Sequence, residues 1–223
     1  MRSKEPVAKF ESNGISLKQR NETDYISLRS IEKSGILKGL LDEDEVSSLL
    51  AIYEEQKKIP VGIDGIASHY KEGDLICSYR ATLFSKDLAS QLFLRIQSFI
   101  PEVEGWEPVG VNESFRYIDY LREGVLIPHY DGGYTDKQGD TSFITFVIYL
   151  IQGQDGQTEF VKEYRENNFE DWNRMANKSE IIERADTSSG DALLFPHHTL
   201  HQGAKTSSRK VIMRTDIMYR KIT

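Results

Sequence analysis

The sequence predicts an α+β fold, with helices in the first half of the chain and a β-barrel or β-sandwich in the second. Two segments of helical periodicity lie before residue 100, and a series of short apolar runs separated by turn residues follows Glu113. The chain has 223 residues, 39% of them hydrophobic, which suffices for a substantial core. No linker is visible, so we treat residues 1–223 as one domain.

The two helical segments have a cap and an apolar stripe each. Residues 42–56 begin at Asp42, which can accept hydrogen bonds from the free amides of the first turn. Residues 85–99 begin at a second cap, Ser85. The stripes at helical spacing are Val46, Leu49, Leu50 and Tyr53 in the first segment, and Leu88, Leu92, Ile96 and Phe99 in the second.

The rest of the first half is less regular. Residues 1–35 are polar and form either a mobile arm or a strand leading into the fold. We therefore expect residues 1–105 to be a helical support region and residues 106–220 to be the β-rich core.

Seven apolar runs make up the predicted strands of the second half: SFRYIDYL, VLIPHYD, SFITFVIYLI, QTEFV, EIIERA, DALLFP and KVIMRTDIMY. Residues 143–151 are apolar on both faces, which predicts a central strand covered on both sides. The polar stretch 164–180 interrupts the series. It is either a surface loop or short helix, or a lid over a substrate site.

Composition excludes several classes of protein. The formal charge of −7 argues against a protein that grips nucleic acid through its overall charge. The single cysteine, Cys77, excludes an intrachain disulfide framework and a cysteine-rich zinc site. The first residues have no signal-peptide pattern, and no segment has the ~20 apolar residues that span a bilayer. We expect a cytoplasmic protein without membrane or nucleic-acid partners.

Four of the five histidines fall in two clusters that could hold a metal. His129 and Asp131 are two residues apart, so on a strand both side chains point to one face. The second cluster, FPHHTLHQG, follows in a later strand region. Two imidazoles and one carboxylate form the ligand triad of non-haem iron(II) oxygenases. The alternative is that His129 ends a strand and the later histidines lie on the surface.

The last predicted strand favours the metal site. By alternation, Lys210, Arg214 and Asp216 share one face. Cations inside a barrel need an anionic partner, and a dicarboxylate cosubstrate would be one. Arg214 could instead pair with Asp216 or another acid, with Lys210 at the rim. The hydroxyls of Tyr120 and Tyr149 could reach the same cavity, although most strand tyrosines serve packing.

The sequence resembles the iron(II)/2-oxoglutarate-dependent dioxygenases of the prolyl 4-hydroxylase type. Five segments carry the resemblance: NESFRYIDYLREGVLIPHYDGGY, FVIYL, GQTEF, GDALLFPHHTLHQG and RKVIMRTDIMY. The resemblance covers about residues 106–220 and depends on the order of the motifs. It implies a double-stranded β-helix (jelly-roll, cupin-like) core with supporting N-terminal helices.

The resemblance also implies roles for individual residues. His129, Asp131 and His201 match the iron ligands, while His197 and His198 are read as supporting or structural residues. Lys210 matches the residue that binds the far carboxylate of 2-oxoglutarate, with Arg209 one register away. Arg214 would hold the cosubstrate or the substrate, and Tyr120 and Tyr149 match cosubstrate-site tyrosines. The turn segments that read Tyr149-Leu150-Ile151 and 155–158 depart from the family pattern.

The implied activity is hydroxylation of an unactivated C–H bond with iron(II), 2-oxoglutarate and O2, with ascorbate as a candidate reductant. Succinate and CO2 would be released. The resemblance suggests prolyl or other amino-acid residues of a protein or peptide as substrate. A free amino acid or another small molecule is the alternative, and a non-catalytic jelly-roll binding module is the reading from a different class.

Overall fold

The computed structural model describes residues 15–18, 23–164 and 169–222. Within them lie thirteen strands, two α-helices and three short 3-10 helices. The first half contains β1 (Asp24–Ser27), β2 (Gly35–Lys38), α1 (Glu43–Glu54), β3 (Ile59–Val61), a 3-10 helix (Ala67–His69), β4 (Ser78–Phe84), α2 (Lys86–Ile96) and a 3-10 helix (Gln97–Phe99). The second half contains β5 (Trp106–Val111), β6 (Ser114–Tyr120), β7 (Leu126–His129), β8 (Thr141–Ile151), β9 (Thr158–Val161), a 3-10 helix (Phe169–Asn173), β10 (Ile181–Arg184), β11 (Ala192–Pro196), β12 (His201–Gly203) and β13 (Lys210–Lys221).

These strands form two antiparallel sheets. The larger sheet has nine strands in the order β1-β2-β11-β8-β13-β6-β4-β3, with β5 also paired to β13. The smaller sheet has four, in the order β10-β9-β12-β7. One buried apolar cluster joins the two sheets, with Leu126 and Phe160 from the smaller sheet and Ile118, Val147 and Ile212 from the larger. The predicted jelly-roll core is confirmed.

A second cluster packs the helices onto the other face of the larger sheet. Leu49 of α1 and Leu92 of α2 pack with Phe115, Phe146 and Met213 of the sheet. Strand β8 contributes to both clusters, because its side chains alternate between the two faces. The prediction of a central strand covered on both sides is therefore confirmed.

Both predicted helices are present. Asp42 caps α1 by accepting a hydrogen bond from the Glu45 amide at 2.9 Å, and the Glu45 carboxylate accepts one from the Asp42 amide at 3.0 Å. Ser85 caps α2 by accepting from the Leu88 amide. Within the described residues, neither helix is long and apolar enough to span a membrane.

The first half is richer in strands than expected. Strands β1 to β4 extend the larger sheet at both of its edges, so residues 1–105 are not only a helical support region. The edge strand β1 is largely exposed and therefore leaves no apolar pattern, whereas β2 is buried but has only four residues. The strand alternative for residues 1–35 is confirmed at 24–27. Residues 1–14 and 19–22 of that segment lie outside the described residues, as do 165–168 of the candidate lid 164–180.

One buried ion pair ties the two helices together. Glu45 of α1 and Arg95 of α2 make two hydrogen bonds, at 2.9 and 3.0 Å, and their side chains are 3% and 6% exposed. Glu45 also accepts from the Lys18 amide at 2.8 Å. The pair fixes the position of α1 relative to α2, because moving the helices apart would leave each buried charge without water and without a counter-ion.

We expect the substitution Glu45→Gln to lower the free energy of unfolding by about 3 kcal/mol, because it leaves the Arg95 guanidinium buried without an anion. Urea unfolding followed by circular dichroism measures the change. Glu43→Gln is the matched control, since Glu43 lies exposed in the same helical turn. Equal stability of the two variants would contradict the structural importance of the pair.

Candidate metal centre

The three predicted metal ligands converge at one edge of the smaller sheet. Strands β7 and β12 are antiparallel neighbours with His129 directly opposite His201, and the ring centroids are 4.2 Å apart. Asp131 follows β7 by two residues. Its Oδ1 lies 3.9 Å from His129 Nε2 and its Oδ2 lies 3.7 Å from His201 Nε2. Ligand atoms of all three residues lie within 4.8 Å of one another.

Both imidazoles are held in the form that binds a metal. His129 Nδ1 lies 2.9 Å from the Ile127 carbonyl and His201 Nδ1 lies 3.0 Å from the Thr199 carbonyl. Each Nδ1–H therefore donates to the backbone, which leaves the Nε2 lone pair free for a cation. Burial lowers the pKa of His129 to about 3 and also lowers the pKa of His201, so both rings are neutral near pH 7.

The Asp131 carboxylate is ionised and tightly held. Burial opposes its ionisation, but its interactions with His201 and Arg214 and a hydrogen bond from Thr145 outweigh burial and hold its pKa well below the usual range. Thr145 Oγ1 lies 2.6 Å from Asp131 Oδ2. Because an ionised carboxylate only accepts, the threonine hydroxyl is the donor.

A directional chain of hydrogen bonds continues from Thr145. Since its one hydroxyl proton goes to Asp131, Thr145 accepts from His197 Nδ1 at 2.9 Å. Burial lowers the pKa of His197 to about 4, so the ring is neutral and its Nε2 accepts from Ser142 Oγ at 3.0 Å. Ser142 Oγ accepts in turn from the Tyr134 amide at 2.9 Å. The chain anchors the carboxylate to the backbone of the loop after β7.

The inner face of β13 carries the predicted basic residues. Ile212 lies in the cluster between the sheets, while Val211 and Met213 lie in the helix-side cluster. Lys210, Arg214 and Asp216 therefore share the face of Ile212, as the alternation predicted.

Arg214 is paired with acids of the protein itself. Its Nη2 donates to Asp216 Oδ1 at 3.1 Å. Its Nε lies 3.2 Å from Asp131 Oδ1 without hydrogen-bond geometry, so that contact is electrostatic only. The pairing with Asp216 is the alternative that the sequence left open.

Lys210 is the buried cation of the site. It is 1% exposed, and its Nζ donates to the Gly156 carbonyl. The ammonium lies 5.1 Å from the Tyr120 ring centroid and 5.7 Å from that of Tyr149. It has no ion pair within the part of the chain that the structure describes, and burial lowers the pKa of Lys210 to about 7. Gly156 has φ +76°, which favours glycine in the turn that presents this carbonyl.

The other basic residue considered for this position, Arg209, lies elsewhere. Its guanidinium pairs with Asp119 at 2.7 Å and with Glu54 at 2.7 Å, on the helix side of the larger sheet. Tyr120 is 3% exposed, and Tyr149 hydrogen-bonds Thr158 Oγ1 at 2.7 Å. The structure thus brings Lys210, Tyr120 and Tyr149 together and excludes Arg209 from that group.

Sequence reasoning missed Thr145 and Ser142, although both belong to a predicted strand. Alternation could have indicated Thr145, which shares a face of β8 with Val147 and Tyr149. Ser142 falls on the opposite face by alternation and joins the chain because the register of β8 shifts between Ser142 and Ile144. Of the two neighbouring histidines, His197 is buried in the chain described above and His198 is exposed.

Comparisons with known proteins give the fold. No protein-family model and no curated protein matches the sequence. Among solved structures, the chain is similar to the viral collagen prolyl hydroxylase of Paramecium bursaria Chlorella virus-1 in its 2-oxoglutarate complex, with 16% identity over 85% of this chain and 97% of that chain and a TM-score of 0.51.

Two further structures show the same likeness. A prolyl hydroxylase from Trichoplax adhaerens, in complex with a hypoxia-inducible-factor peptide fragment, has 12% identity over 83% of each chain and a TM-score of 0.53. The epimerase SnoN of nogalamycin biosynthesis, in complex with Fe3+, α-ketoglutarate and nogalamycin RO, has 16% identity over 85% of this chain and 79% of that chain and a TM-score of 0.54. The chain has the fold of prolyl hydroxylases and other 2-oxoglutarate oxygenases.

We expect Thr145→Val to weaken binding of a divalent metal by about tenfold to a hundredfold, because it removes the hydrogen bond to Asp131 at nearly constant volume. Competition against a fluorescent chelator measures the affinity. His198→Ala serves as the control, since that ring is exposed. Binding by Thr145→Val as tight as wild type would show that the chain does not orient Asp131.

The same metal-affinity assay tests which ring nitrogen of His197 donates the hydrogen bond to Thr145. Asparagine can place an N–H near the position of Nδ1, whereas glutamine places its amide near Nε2. We therefore expect His197→Asn to retain more metal affinity than His197→Gln. The opposite order would contradict donation from Nδ1 to Thr145.

Proposed function

We propose that this protein is an iron(II)- and 2-oxoglutarate-dependent dioxygenase that hydroxylates an unactivated C–H bond. The observation that carries the proposal is Lys210, a fully buried amine that forms no ion pair in the described residues, on the sheet face opposite a His–Asp–His cluster. The Glu159 carboxylate acts on it only through space, and burial outweighs that effect. A buried charge of this kind calls for an anionic ligand, and a dicarboxylate cosubstrate supplies one.

The residues present fit both groups. Two neutral imidazoles with free Nε2 atoms and one ionised carboxylate are the facial ligand set of non-haem iron(II) sites. His129, Asp131 and His201 would hold the metal, and Lys210 would bind the far carboxylate of 2-oxoglutarate. When bound, iron and 2-oxoglutarate supply the oxidation of the C–H bond, with release of succinate and CO2.

The chain's own residues bind and orient. Lys210 between the rings of Tyr120 and Tyr149 gives the cosubstrate a dry, cationic end, where a charge-assisted hydrogen bond is strongest. Thr145 and His197 fix the Asp131 carboxylate, and Arg214 adds positive charge beside it. Ascorbate belongs to the proposal only as the reductant added in the assay.

For the substrate, we propose a prolyl or other amino-acid residue of a protein or peptide. The motif order in the sequence supports this choice, and the similar Trichoplax adhaerens enzyme is a prolyl hydroxylase with a bound peptide fragment. A small molecule is the second candidate, because the similar SnoN binds nogalamycin RO.

The proposal predicts that wild-type protein with iron(II), ascorbate and air converts 2-oxoglutarate slowly to succinate without added substrate, and that His129→Ala abolishes this. Coupled detection of succinate measures the rate, and His69→Ala is the control for loss of an exposed histidine. Equal rates for His129→Ala and wild type would contradict the metal assignment.

The depressed pKa of Lys210 predicts the pH dependence of 2-oxoglutarate binding. Only the charged ammonium pairs with the carboxylate, and the folded protein releases that proton at about pH 7 rather than 10.5. Affinity should therefore be constant below pH 7 and fall about tenfold per pH unit above it. Isothermal titration of manganese-loaded protein tests this between roughly pH 6 and 9.

Lys210→Arg is the matched variant, because the guanidinium stays charged over this range. Its binding of 2-oxoglutarate should not weaken as the pH rises. A wild-type affinity independent of pH up to roughly pH 9 would contradict the depressed pKa of Lys210, and unchanged binding by Lys210→Ala would remove Lys210 from the cosubstrate site.

A further inference from the structure

A second arginine lies next to Arg214 on the inner face of the larger sheet. Strands β6 and β13 pair in a register that sets Arg116 opposite Arg214. Ile118 on β6 belongs to the cluster between the sheets, whereas Phe115 and Tyr117 belong to the helix-side cluster. Arg116 therefore faces the smaller sheet, on the same side as the candidate metal centre.

The two guanidinium groups differ in their partners. Arg214 is paired with Asp216 and lies beside Asp131. Arg116 is half-buried and has no hydrogen bond or ion pair within the part of the chain that the structure describes. Like charges directly opposite one another on neighbouring strands destabilise a sheet. Arg116 and Arg214 nevertheless lie opposite one another, although the nearby acids Asp131 and Asp216 already contact Arg214.

The charge of Arg116 acts on Asp216, which lies close to the candidate metal centre. Burial raises the pKa of Asp216 to about 6, against the opposing effects of Arg214 and Arg116. His197 also faces this carboxylate, with its Nε2 3.9 Å from Oδ1. Arg116 thus acts on Asp216 through space, without a carboxylate of its own.

With iron(II) and 2-oxoglutarate bound, the charge balance of the site would leave Arg116 without a counter-ion. Asp131 and the keto-acid carboxylate of 2-oxoglutarate would balance the two charges of iron(II). The far carboxylate would balance Lys210, and Asp216 balances Arg214. Of these charged groups, the Arg116 guanidinium then remains without an anion from the described residues, on a partly desolvated face where a bidentate carboxylate is the ligand that fits its geometry.

We propose that Arg116 is a substrate-binding residue that pairs with a carboxylate group of the substrate. This inference rests on the proposed function and narrows it: the molecule that is hydroxylated is anionic close to the reacting carbon. A free main-chain carboxylate and an acidic side chain beside the target residue share this chemistry.

The test observes the arginine Nε–H signals by NMR in protein loaded with zinc and 2-oxoglutarate, so that no turnover occurs. Acetate is the probe and acetamide its uncharged control. We expect acetate to shift one Nε signal in a saturable way, and acetamide to leave it in place. The signal should be absent in Arg116→Gln and retained in Arg122→Gln, which removes an exposed charge in the turn after β6.

Two larger probes distinguish the sources of the carboxylate. N-acetylproline carries it on the main chain, and N-acetylaspartylprolinamide carries it on a neighbouring side chain. At least one should bind wild type more tightly than acetate, and Arg116→Gln should weaken that binding by about tenfold or more. Equal binding of both probes by wild type and Arg116→Gln would overturn the proposal.

Other outcomes would also overturn it: no arginine signal responds to acetate, or the responding signal persists in Arg116→Gln. A weaker affinity of Arg116→Gln for 2-oxoglutarate itself would assign Arg116 to the cosubstrate instead. If the wild-type protein binds no 2-oxoglutarate, the proposed function fails, and the acetate titration of the zinc-loaded protein still decides whether Arg116 binds a carboxylate.

Discussion

The antiparallel register that sets His129 of β7 opposite His201 of β12 is the constraint on which the site depends. In an antiparallel pair, directly opposite side chains lie on the same face, so two imidazoles from distant parts of the chain meet without any loop rearrangement. Asp131, two residues after His129, reaches the same point. A slip of one residue would turn His201 to the outer face of the smaller sheet and leave a two-residue cluster.

The larger sheet completes the site from the opposite side. Its helix-side face carries most of the apolar core, with the Arg209–Asp119 pair as a charged exception, while its inner face carries Lys210, Arg214 and Arg116. Thr145 on the same inner face holds the Asp131 carboxylate. The two faces of the larger sheet therefore differ in role: one packs against the helices, and the other presents charged side chains on the side of the smaller sheet.

Much of this was predictable from residue order. Alternation and turn residues predicted seven of the nine strands β5 to β13 and missed β5 and β12. Caps and stripes predicted both helices, and the face of β13 was predicted by alternation alone. The edge strands were not predictable, because β1 buries too little to leave an apolar pattern. Alternation also places Arg209 on the face opposite Lys210, but its partners Asp119 and Glu54 come from distant segments and were not predictable. The chain from Tyr134 to Asp131 likewise depends on tertiary proximity that no local pattern encodes.

We propose that one site holds iron(II) through His129, Asp131 and His201 together with 2-oxoglutarate at Lys210. Anaerobic titration of the wild-type protein with iron(II) and 2-oxoglutarate, followed by visible absorption, tests this most directly. We expect a metal-to-ligand absorption band that requires both components and saturates at one equivalent of each. A folded protein that gives no band under these conditions would contradict joint binding of the metal and the cosubstrate.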